Sequence, residues 1–431
     1  MRNTAYFKDK QVTIVGLARS GVACANLLRG LDASVRVTDI KDNAQTRSNA
    51  ALLSQDIQVE LGKHSEDFIK GADLVVISPG VPGSSQPAIW AKDHAKPVIS
   101  EIEIAAMLCP GRIIAVTGSN GKTTVTTLIG RVLEASGKKV FVCGNIGNPF
   151  SGEVARIGEG DFAVVEVSSF QLETIKDFKP KIALILNINP NHLDRYNKMR
   201  EYLDAKKRIF MNQDKDDFLI LNSQEPGLSG LEKEASSKTI FFSREDGLNP
   251  NQSAVLKAGE LLGLDRPTML KVFSDFKGIE HRMEDVAEIN KIKFINDSKA
   301  TTADSAIWAL NSISSPVVLL AGGRHKGIDY RVIIDAARNK VKQVVLIGEA
   351  KDKIADCLKG EFPVEMAASL EDAVNKTYTL AKPGYSVLFS PMCSSFDMFT
   401  DYEERGRAFK KIVLELAKRK TESPANNEHI G

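Results

Sequence analysis

The sequence predicts an α/β protein of three domains: a Rossmann-like N-terminal domain, a central P-loop ATPase-type domain on a parallel sheet, and a Rossmann-like C-terminal domain. Apolar strand-like runs alternate with helix-like runs along all 431 residues, a rhythm typical of parallel sheets joined by helical crossovers. A chain of this length is too long to fold around a single hydrophobic core. Polar residues gather directly after the strands, where parallel sheets bind their ligands. We place the domains at residues 1–100, 101–282 and 283–431.

Composition and charge narrow the class of protein. Hydrophobic residues make up 43% and charged residues 26%, as in ordinary globular proteins. A net charge of +2 indicates no nucleic-acid partner. The cysteines form no C-x-x-C pair, which favours a reducing compartment over disulfides or zinc; they lie at positions 24, 109, 143, 357 and 393. Without a signal pattern or a membrane-length apolar run, we expect a cytoplasmic monomer with no membrane partner.

The first segment reads as a βαβ unit with a glycine-containing first turn. Residues 11–17 and 34–40 are predicted strands, and residues 20–31 a helix. A dinucleotide fingerprint would carry glycine where Ala18 stands, which argues against a dehydrogenase that binds NAD. We therefore expect this domain to bind a nucleotide-like ligand other than NAD.

Two further features of this segment are candidate contacts for that ligand. Asp39 ends the second strand and can accept a hydrogen bond from a ribose hydroxyl or a uracil N–H, or it can cap a turn. Residues 72–80 are a predicted strand that runs into the turn formed by Ser78, Pro79 and Gly80.

A glycine-rich loop opens the central segment, between a predicted strand at 112–116 and a predicted helix at 125–133. Its glycines let backbone N–H groups surround a phosphate, Lys122 can reach the outer phosphates, and Thr123 can hold magnesium. Position 116 is valine where the usual phosphate loop has glycine, which indicates a related, shorter loop. The alternative is a chance turn. The loop runs Thr117-Gly118-Ser119-Asn120-Gly121-Lys122-Thr123-Thr124.

Three more loops follow predicted strands of the same sheet at 139–142, 162–167 and 182–188. They carry Asn145, then Glu166 with Ser168, then His192. Because carboxyl ends of parallel strands share one edge, we expect these loops to converge on the phosphate loop. Glu166 is a candidate magnesium ligand, although it can instead pair with a lysine, and His192 can be a metal ligand or a helix cap.

The remaining chain continues the strand–helix rhythm. Lys299 and Lys326 follow strands and suit an incoming carboxylate, although surface lysines are common, and Cys393 is expected to be a packing residue. A tail from residue 420 is expected to be disordered. Predicted strands lie at 218–221, 239–242, 293–296, 317–320, 344–347 and 386–389, and predicted helices at 251–262, 267–276 and 402–418.

Together these motifs resemble one family, the ATP-dependent Mur ligases of peptidoglycan precursor synthesis. The resemblance covers residues 16–409 and is carried by residues 117–123, 166–171, 187–196 and 297–301. Within the family, residues 297–301 resemble the branch that adds D-glutamate to UDP-N-acetylmuramoyl-L-alanine. Residues 247–254 keep Asn251 but lack the His-Asn pair of a family motif and the strand pair before it.

The resemblance implies an ATP-dependent amide ligase that works through an acyl phosphate, with ATP and two Mg²⁺ ions as cofactors. Lys122, His192 and a carbamylated Lys206 would be catalytic. ATP would contact Gly118, Ser119, Asn120, Gly121, Lys122, Thr123, Thr124, Asn251, Arg282, Asp297 and Lys299. Magnesium would be held by Thr123, Glu166, His192 and Lys206. The UDP-linked substrate and D-glutamate would contact Gly16, Asp39, Ser78, Pro79, Gly80, Asn145, Ser168, Thr301, Lys326, Ser395, Phe399 and Tyr402.

Two rival interpretations remain open. One is another Mur-type or folylpolyglutamate-type amide ligase that adds a different amino acid. The other is a P-loop ATPase that acts as a switch, which would turn over ATP without an acceptor.

Overall fold

The computed structural model describes residues 1–189, 196, 198–325 and 327–421. These residues form three sheets, and the chain divides into two compact units, Met1–Phe276 and Lys277–Gly431. The first unit contains two of the sheets. The predicted α/β class is confirmed, whereas the three domain boundaries stay a prediction. Among the described residues, no helix has the length and apolar character needed to cross a membrane.

The first sheet has five parallel strands in the order β3-β2-β1-β4-β5. The order reverses between β1 and β4, which makes this the switch point where open sheets bind ligands. Its strands are β1 (Gln11–Val15), β2 (Ser34–Asp39), β3 (Gln58–Leu61), β4 (Leu74–Ile77) and β5 (Val98–Ser100). Its helices are α1 (Arg19–Arg29), α2 (Ala44–Ala50), α3 (Glu66–Lys70), α4 (Gln86–Asp93) and α5 (Glu101–Leu108).

The second sheet has six parallel strands in the order β11-β10-β9-β6-β8-β7. Its central strands are buried on both faces because helices cover both, so they read as continuous apolar runs. The strands are β6 (Arg112–Thr117), β7 (Val140–Gly144), β8 (Phe162–Glu166), β9 (Ile182–Ile185), β10 (Phe218–Asn222) and β11 (Lys238–Phe242). The helices are α6 (Lys122–Ala135), α7 (Phe150–Glu153), α8 (Ser169–Leu172), α9 (Met199–Lys207), α10 (Pro250–Leu261) and α11 (Arg266–Asp275).

The third sheet lies in the second unit and is mixed, in the order β12-β13-β17-β14-β15-β16, with β12 antiparallel to β13. Its strands are β12 (Glu284–Ile289), β13 (Ile292–Asn296), β14 (Val317–Gly322), β15 (Val341–Ile347), β16 (Val364–Met366) and β17 (Ser386–Phe389). Its helices are α12 (Ala303–Ser312), α13 (Ile334–Ala337), α14 (Lys351–Leu358), α15 (Leu370–Leu380) and α16 (Tyr402–Thr421). The tail expected to be disordered lies outside the described residues beyond 421.

Candidate active site

The phosphate-loop candidate, residues 118–121, lies between β6 and α6, as the sequence predicted. Gly121 is the N-cap of α6 and has a left-handed φ of 81°. A Cβ at this position would lie 2.4 Å from Asn251 Oδ1, so no larger residue fits without movement. Asn251, in the first turn of α10, therefore lies directly against the loop.

The segment that follows β9 forms hydrogen bonds with the phosphate loop. The Asn120 N–H donates to Asn187 Oδ1 at 2.8 Å, and Asn187 Nδ2 donates back to the Asn120 carbonyl at 3.1 Å. The Ser119 hydroxyl accepts from the Asn189 N–H at 2.9 Å and donates to the Asn189 carbonyl at 3.0 Å. These four hydrogen bonds fix the conformation of the loop. The sequence predicts no individual role for Asn187 or Asn189, although both lie in the asparagine-rich segment that follows β9.

Two lysines lie at the loop. Lys122 Nζ donates to the Gly118 and Ser119 carbonyls, both at 2.9 Å. Lys206 on α9 is 1% exposed, and its Nζ lies 3.0 Å from the Gly118 carbonyl and 3.3 Å from Thr117 Oγ1. Burial lowers the pKa of Lys206 well below its ordinary value, and repulsion from Lys122 adds to this effect, while Glu166 opposes it. Loss of a proton from Lys206 is thereby easier than from an exposed lysine.

Glu166 lies at the end of β8 and is 2% exposed. Its Oε1 accepts from Asn145 Nδ2 at 2.9 Å, and its backbone carbonyl accepts from the Asn145 N–H at 2.9 Å. Its Oε2 is buried and has no hydrogen-bond partner among the residues that the structure describes. A buried carboxylate oxygen left without a donor is suited to a cation. The structure thus places the Asn145 loop and Glu166 together.

The donor set fits magnesium that is shared with a phosphate. Mg²⁺ takes one or two carboxylates and completes its shell with water and phosphate oxygens. The described residues contain no group of three or more His, Cys, Asp or Glu side chains placed to hold a metal ion. Thr123, at the start of α6, is 2% exposed. His192 lies outside the described residues.

Ser168 has a structural function in this structure. It is the N-cap of α8, and its hydroxyl accepts from the Gln171 N–H in a capping box. A role as a substrate ligand would compete with that bond.

Three of the predicted substrate residues lie at adjacent strand ends of the first sheet: Gly16 after β1, Asp39 at the end of β2 and Ser78 after β4. The Ser78 hydroxyl donates to the Gly16 carbonyl at 3.0 Å. Asp39 Oδ2 accepts from the Leu17 N–H at 2.7 Å, and Oδ1 accepts from the Lys41 N–H at 2.9 Å. Asp39 therefore caps the first turn. Of the two roles that the sequence allows for Asp39, ligand contact and turn cap, the turn cap describes these contacts. Pro79 and Gly80 follow Ser78 directly.

In the second unit, Asp297 follows β13 and is 3% exposed. Its Oδ1 accepts from the Met283 N–H at 3.2 Å, and its Oδ2 accepts from the Ser390 hydroxyl at 2.9 Å. Burial raises the pKa of Asp297 to about 7, because these two donors and Arg282 offset only part of the desolvation.

Most of the other predicted residues of this unit follow β13 or β17, which are neighbouring strands, whereas Arg282 precedes β12. Lys299 Nζ lies 5.8 Å from the ring centroid of Tyr402, and the Arg282 guanidinium lies 5.6 Å from the Trp308 ring. Ser395 is 2% exposed, and its carbonyl accepts from the Phe399 N–H at 2.9 Å. Thr301 follows Lys299 by two residues. Lys326 lies outside the described residues.

Arg405 on α16 was missed by the sequence analysis. Its side chain is fully buried, with Nε 3.0 Å from Ser298 Oγ, Nη2 2.8 Å from the Ser298 carbonyl and Nη1 3.1 Å from the Cys393 carbonyl. Burial lowers its pKa to about 10. It therefore joins the loops after β13 and β17. An arginine in a highly charged helix looks like a surface residue, so the sequence pattern does not mark Arg405 as buried.

The phosphate loop lies at the end of a parallel strand, next to buried acidic and basic side chains. This arrangement is that of a nucleotide-binding enzyme of the P-loop type. Comparison with known proteins narrows this class. Residues 10–100 match the Mur ligase MurD-like N-terminal domain, residues 116–283 the Mur ligase middle domain, and residues 281–393 the Mur ligase glutamate ligase domain. The chain belongs to the Mur ligase family.

Individual relatives extend this likeness over nearly the whole chain. UDP-N-acetylmuramoylalanine–D-glutamate ligase of Thermoanaerobacter pseudethanolicus is 40% identical over 449 residues, covering 95% of this chain and 99% of the relative. The enzyme of the same name from Geotalea uraniireducens is 42% identical over 447 residues, covering 95% and 98%. MurF ligase of Thermotoga maritima, solved in complex with ADP, shares the fold with a TM-score of 0.56 at 16% identity, covering 97% of this chain and 98% of its own.

Proposed function

We propose that this chain is the ATP-dependent ligase that joins D-glutamate to UDP-N-acetylmuramoyl-L-alanine in peptidoglycan precursor synthesis. The observation that carries the proposal is the identity of 40% over 449 residues to a relative of that name. This identity covers all three sheets rather than the phosphate loop alone. It therefore favours the same substrates over the other amide ligases that share the fold.

The reaction must activate a carboxylate, because a carboxylate and an amine at neutral pH form a salt rather than an amide. An oxygen of the L-alanyl carboxylate attacks the γ-phosphorus of ATP, the bond to the bridging oxygen breaks, and an acyl phosphate and ADP form. The unprotonated amine of D-glutamate then attacks the acyl carbon. The tetrahedral intermediate collapses to the amide, with loss of the amine proton and of inorganic phosphate.

Positioning and charge neutralisation supply most of the catalysis in phosphoryl transfer. We propose that the backbone N–H groups of residues 118–124 hold the phosphates of ATP. Lys122, which donates to the Gly118 and Ser119 carbonyls in this structure, turns from them to the β- and γ-phosphates. Asn251, next to Gly121, contacts the nucleotide.

Thr123, Glu166, His192 and Lys206 are the residues that would hold two magnesium ions. Magnesium, when bound, offsets the negative charge that the phosphates and the carboxylate bring together. We propose that the neutral Lys206 amine adds to carbon dioxide and loses a proton, which gives a carbamate with a negative charge. The buried Oε2 of Glu166, for which the described residues supply no hydrogen-bond donor, supports a cation at this place.

The remaining assignments concern the other ligands. Gly16, Asp39 and Ser78, with Pro79 and Gly80, are proposed to bind the UDP moiety at the switch point of the first sheet. Asn145 and Ser168 are proposed to contact the rest of that substrate, with Ser168 giving up its cap. Arg282, Asp297 and Lys299 are proposed to contact the nucleotide. Thr301, Lys326, Ser395, Phe399 and Tyr402 are proposed to bind D-glutamate.

Phosphate release from ATP, measured against a panel of acceptors and amino acids, tests this proposal. We expect release only when UDP-N-acetylmuramoyl-L-alanine and D-glutamate are both present, with L-glutamate as the matched negative control. Turnover with a folate acceptor or a different amino acid would assign another ligase of the fold. Equal turnover without an acceptor would indicate an ATPase switch.

A further inference from the structure

Helix α5 joins the first two sheets of the first unit. It begins at Glu101, directly after β5 ends at Ser100, and ends at Leu108, four residues before β6 begins. The first turn of α5 carries two buried acids, Glu101 and Glu103. Residues two apart on a helix point about 200° apart around its axis, so these two carboxylates face opposite sides.

Glu103 binds the chain that follows α8. One of its oxygens accepts from the Lys176 N–H at 2.9 Å and the Phe178 N–H at 3.0 Å. The other accepts from the Asp177 N–H at 2.7 Å. Three successive backbone N–H groups of the second-sheet segment thus bind one carboxylate of the connecting helix. Hydrogen bonds to an ionised acceptor are stronger than those between neutral groups.

Glu101 binds the start of α7 on the other side. Its Oε1 accepts from the Ser151 N–H at 2.6 Å, whereas its Oε2 is buried and has no hydrogen-bond partner within the described part of the chain. Glu101 and Ser151 are 2% and 3% exposed. Helix α7 directly follows the loop that carries Asn145, whose side chain bonds Glu166. Glu101 therefore fixes the element from which this loop extends.

A second contact joins the same loop to the first sheet. Arg19, in the first turn of α1, donates from Nη2 to the Gly147 carbonyl at 3.2 Å. Helix α1 follows the Gly16 turn, where we propose that the UDP moiety binds. The Gly16 turn and the Asn145 loop are thus linked through α1, α5 and α7, all within the first unit.

We propose that Glu101 and Glu103 are positioning residues, which hold the UDP-binding sheet at a fixed distance from the ATP-binding sheet so that the substrate carboxylate meets the γ-phosphate. This inference rests on the proposed function. Neither residue touches a substrate in this assignment. Each acts through backbone groups that it holds in place.

Such a role predicts that each ligand still binds while the reaction between them slows. In Glu101→Ala and Glu103→Ala we expect the dissociation constants for UDP alone and for ADP alone to stay within about twofold of the wild type. We expect kcat to fall about tenfold or more, because a displacement of about 1 Å between reacting groups lowers the rate up to about a hundredfold.

Two further variants serve as controls. Glu134 is an exposed acid on α6, and Glu134→Ala is the matched control. Glu101→Gln keeps an acceptor for the Ser151 N–H and should retain most of the kcat.

Hydrogen exchange supplies a readout that does not depend on activity. The amides of Lys176, Asp177 and Phe178 should exchange faster in Glu103→Ala than in Glu134→Ala. Unchanged exchange, an unchanged kcat, or losses of UDP and ADP affinity that match the loss of kcat would overturn the positioning role. Absence of ligase turnover in the wild type would instead contradict the proposed function, whatever the exchange data show.

Discussion

The amine of Lys206 lies 3.0 Å from the Gly118 carbonyl and is shielded from water, with 1% of the residue exposed. A charged ammonium group at this place would lose its hydration and would repel Lys122. Both effects lower the pKa of Lys206. A neutral amine is the form that reacts with carbon dioxide. Residue-scale chemistry thus supports the carbamate that we propose.

Lys206→Ala is expected to lose most ligase activity, by about a hundredfold or more, because it removes a negative group from the proposed magnesium site. A small carboxylic acid added to the assay should restore part of the rate. Lys207→Ala is the matched control, since Lys207 pairs with Asp204 and Glu234 away from the loop. Full activity of unrescued Lys206→Ala would remove the role.

Asp297 links pH to stability. Its folded pKa is about 7 and its ordinary value 3.8, so between these values the folded state keeps a proton that the unfolded state has lost. Stability therefore falls as pH rises through this window, by on the order of 4 kcal/mol. Asp297→Asn should make the thermal midpoint less dependent on pH between about pH 4 and about pH 7. An unchanged pH dependence in this variant would contradict the assignment.

The sequence supplied most of the candidate residues but few of their partners. The phosphate loop and Glu166 were found because motif spacing and strand ends mark them, whereas Lys206 was assigned only through the family resemblance. The contact of Asn251 with Gly121 and the bonds of Arg405 to Ser298 join residues more than a hundred positions apart in the chain. Such pairs arise from tertiary packing, which periodicity does not encode.

At the scale of elements, the strands that the sequence analysis missed have a common cause. They are β3, β5, β12 and β16, and each lies at an edge of its sheet. An edge strand pairs on one side only and is short or partly exposed, so it lacks the apolar run that marks a central strand. The antiparallel β12, with the sequence EDVAEI, is the most polar of them. Central strands such as β6 and β9 were predicted to within a few residues.

Arg405 connects helix α16 to the loops that follow β13 and β17 of the third sheet. Arg405→Lys is expected to destabilise the second unit by about 2–4 kcal/mol, because one ammonium cannot reach the three acceptors that the guanidinium satisfies. The Michaelis constant for D-glutamate should rise as well, since the Ser395 loop lies in the same segment. Thermal unfolding and steady-state kinetics measure the two effects. Arg407→Lys, two residues along and exposed, is the control, and equal midpoints for the two variants would refute this role.

At the scale of the whole molecule, the UDP moiety is proposed to bind at the first sheet and the phosphates of ATP at the loop beside the second sheet. Lys122→Ala should abolish ADP formation while UDP binding at the first sheet stays within about twofold of the wild type, because Lys122 begins α6 at the phosphate loop and bonds only that loop in the contacts described above. Calorimetric titration with UDP and an ADP assay measure the two properties. Lys138 is exposed in the segment between α6 and β7. As the control, Lys138→Ala should change neither UDP binding nor ADP formation. A parallel loss of UDP binding in Lys122→Ala would show that the sites are divided wrongly.

The central claim is that ATP activates the carboxylate of the UDP-linked substrate as an acyl phosphate. The most direct measurement uses UDP-N-acetylmuramoyl-L-alanine with heavy oxygen in its carboxylate and follows that oxygen by mass spectrometry. We expect one labelled oxygen in the phosphate released with each amide bond formed, because the attacking oxygen leaves with the phosphorus. Phosphate free of label, with amide product formed, would contradict the account.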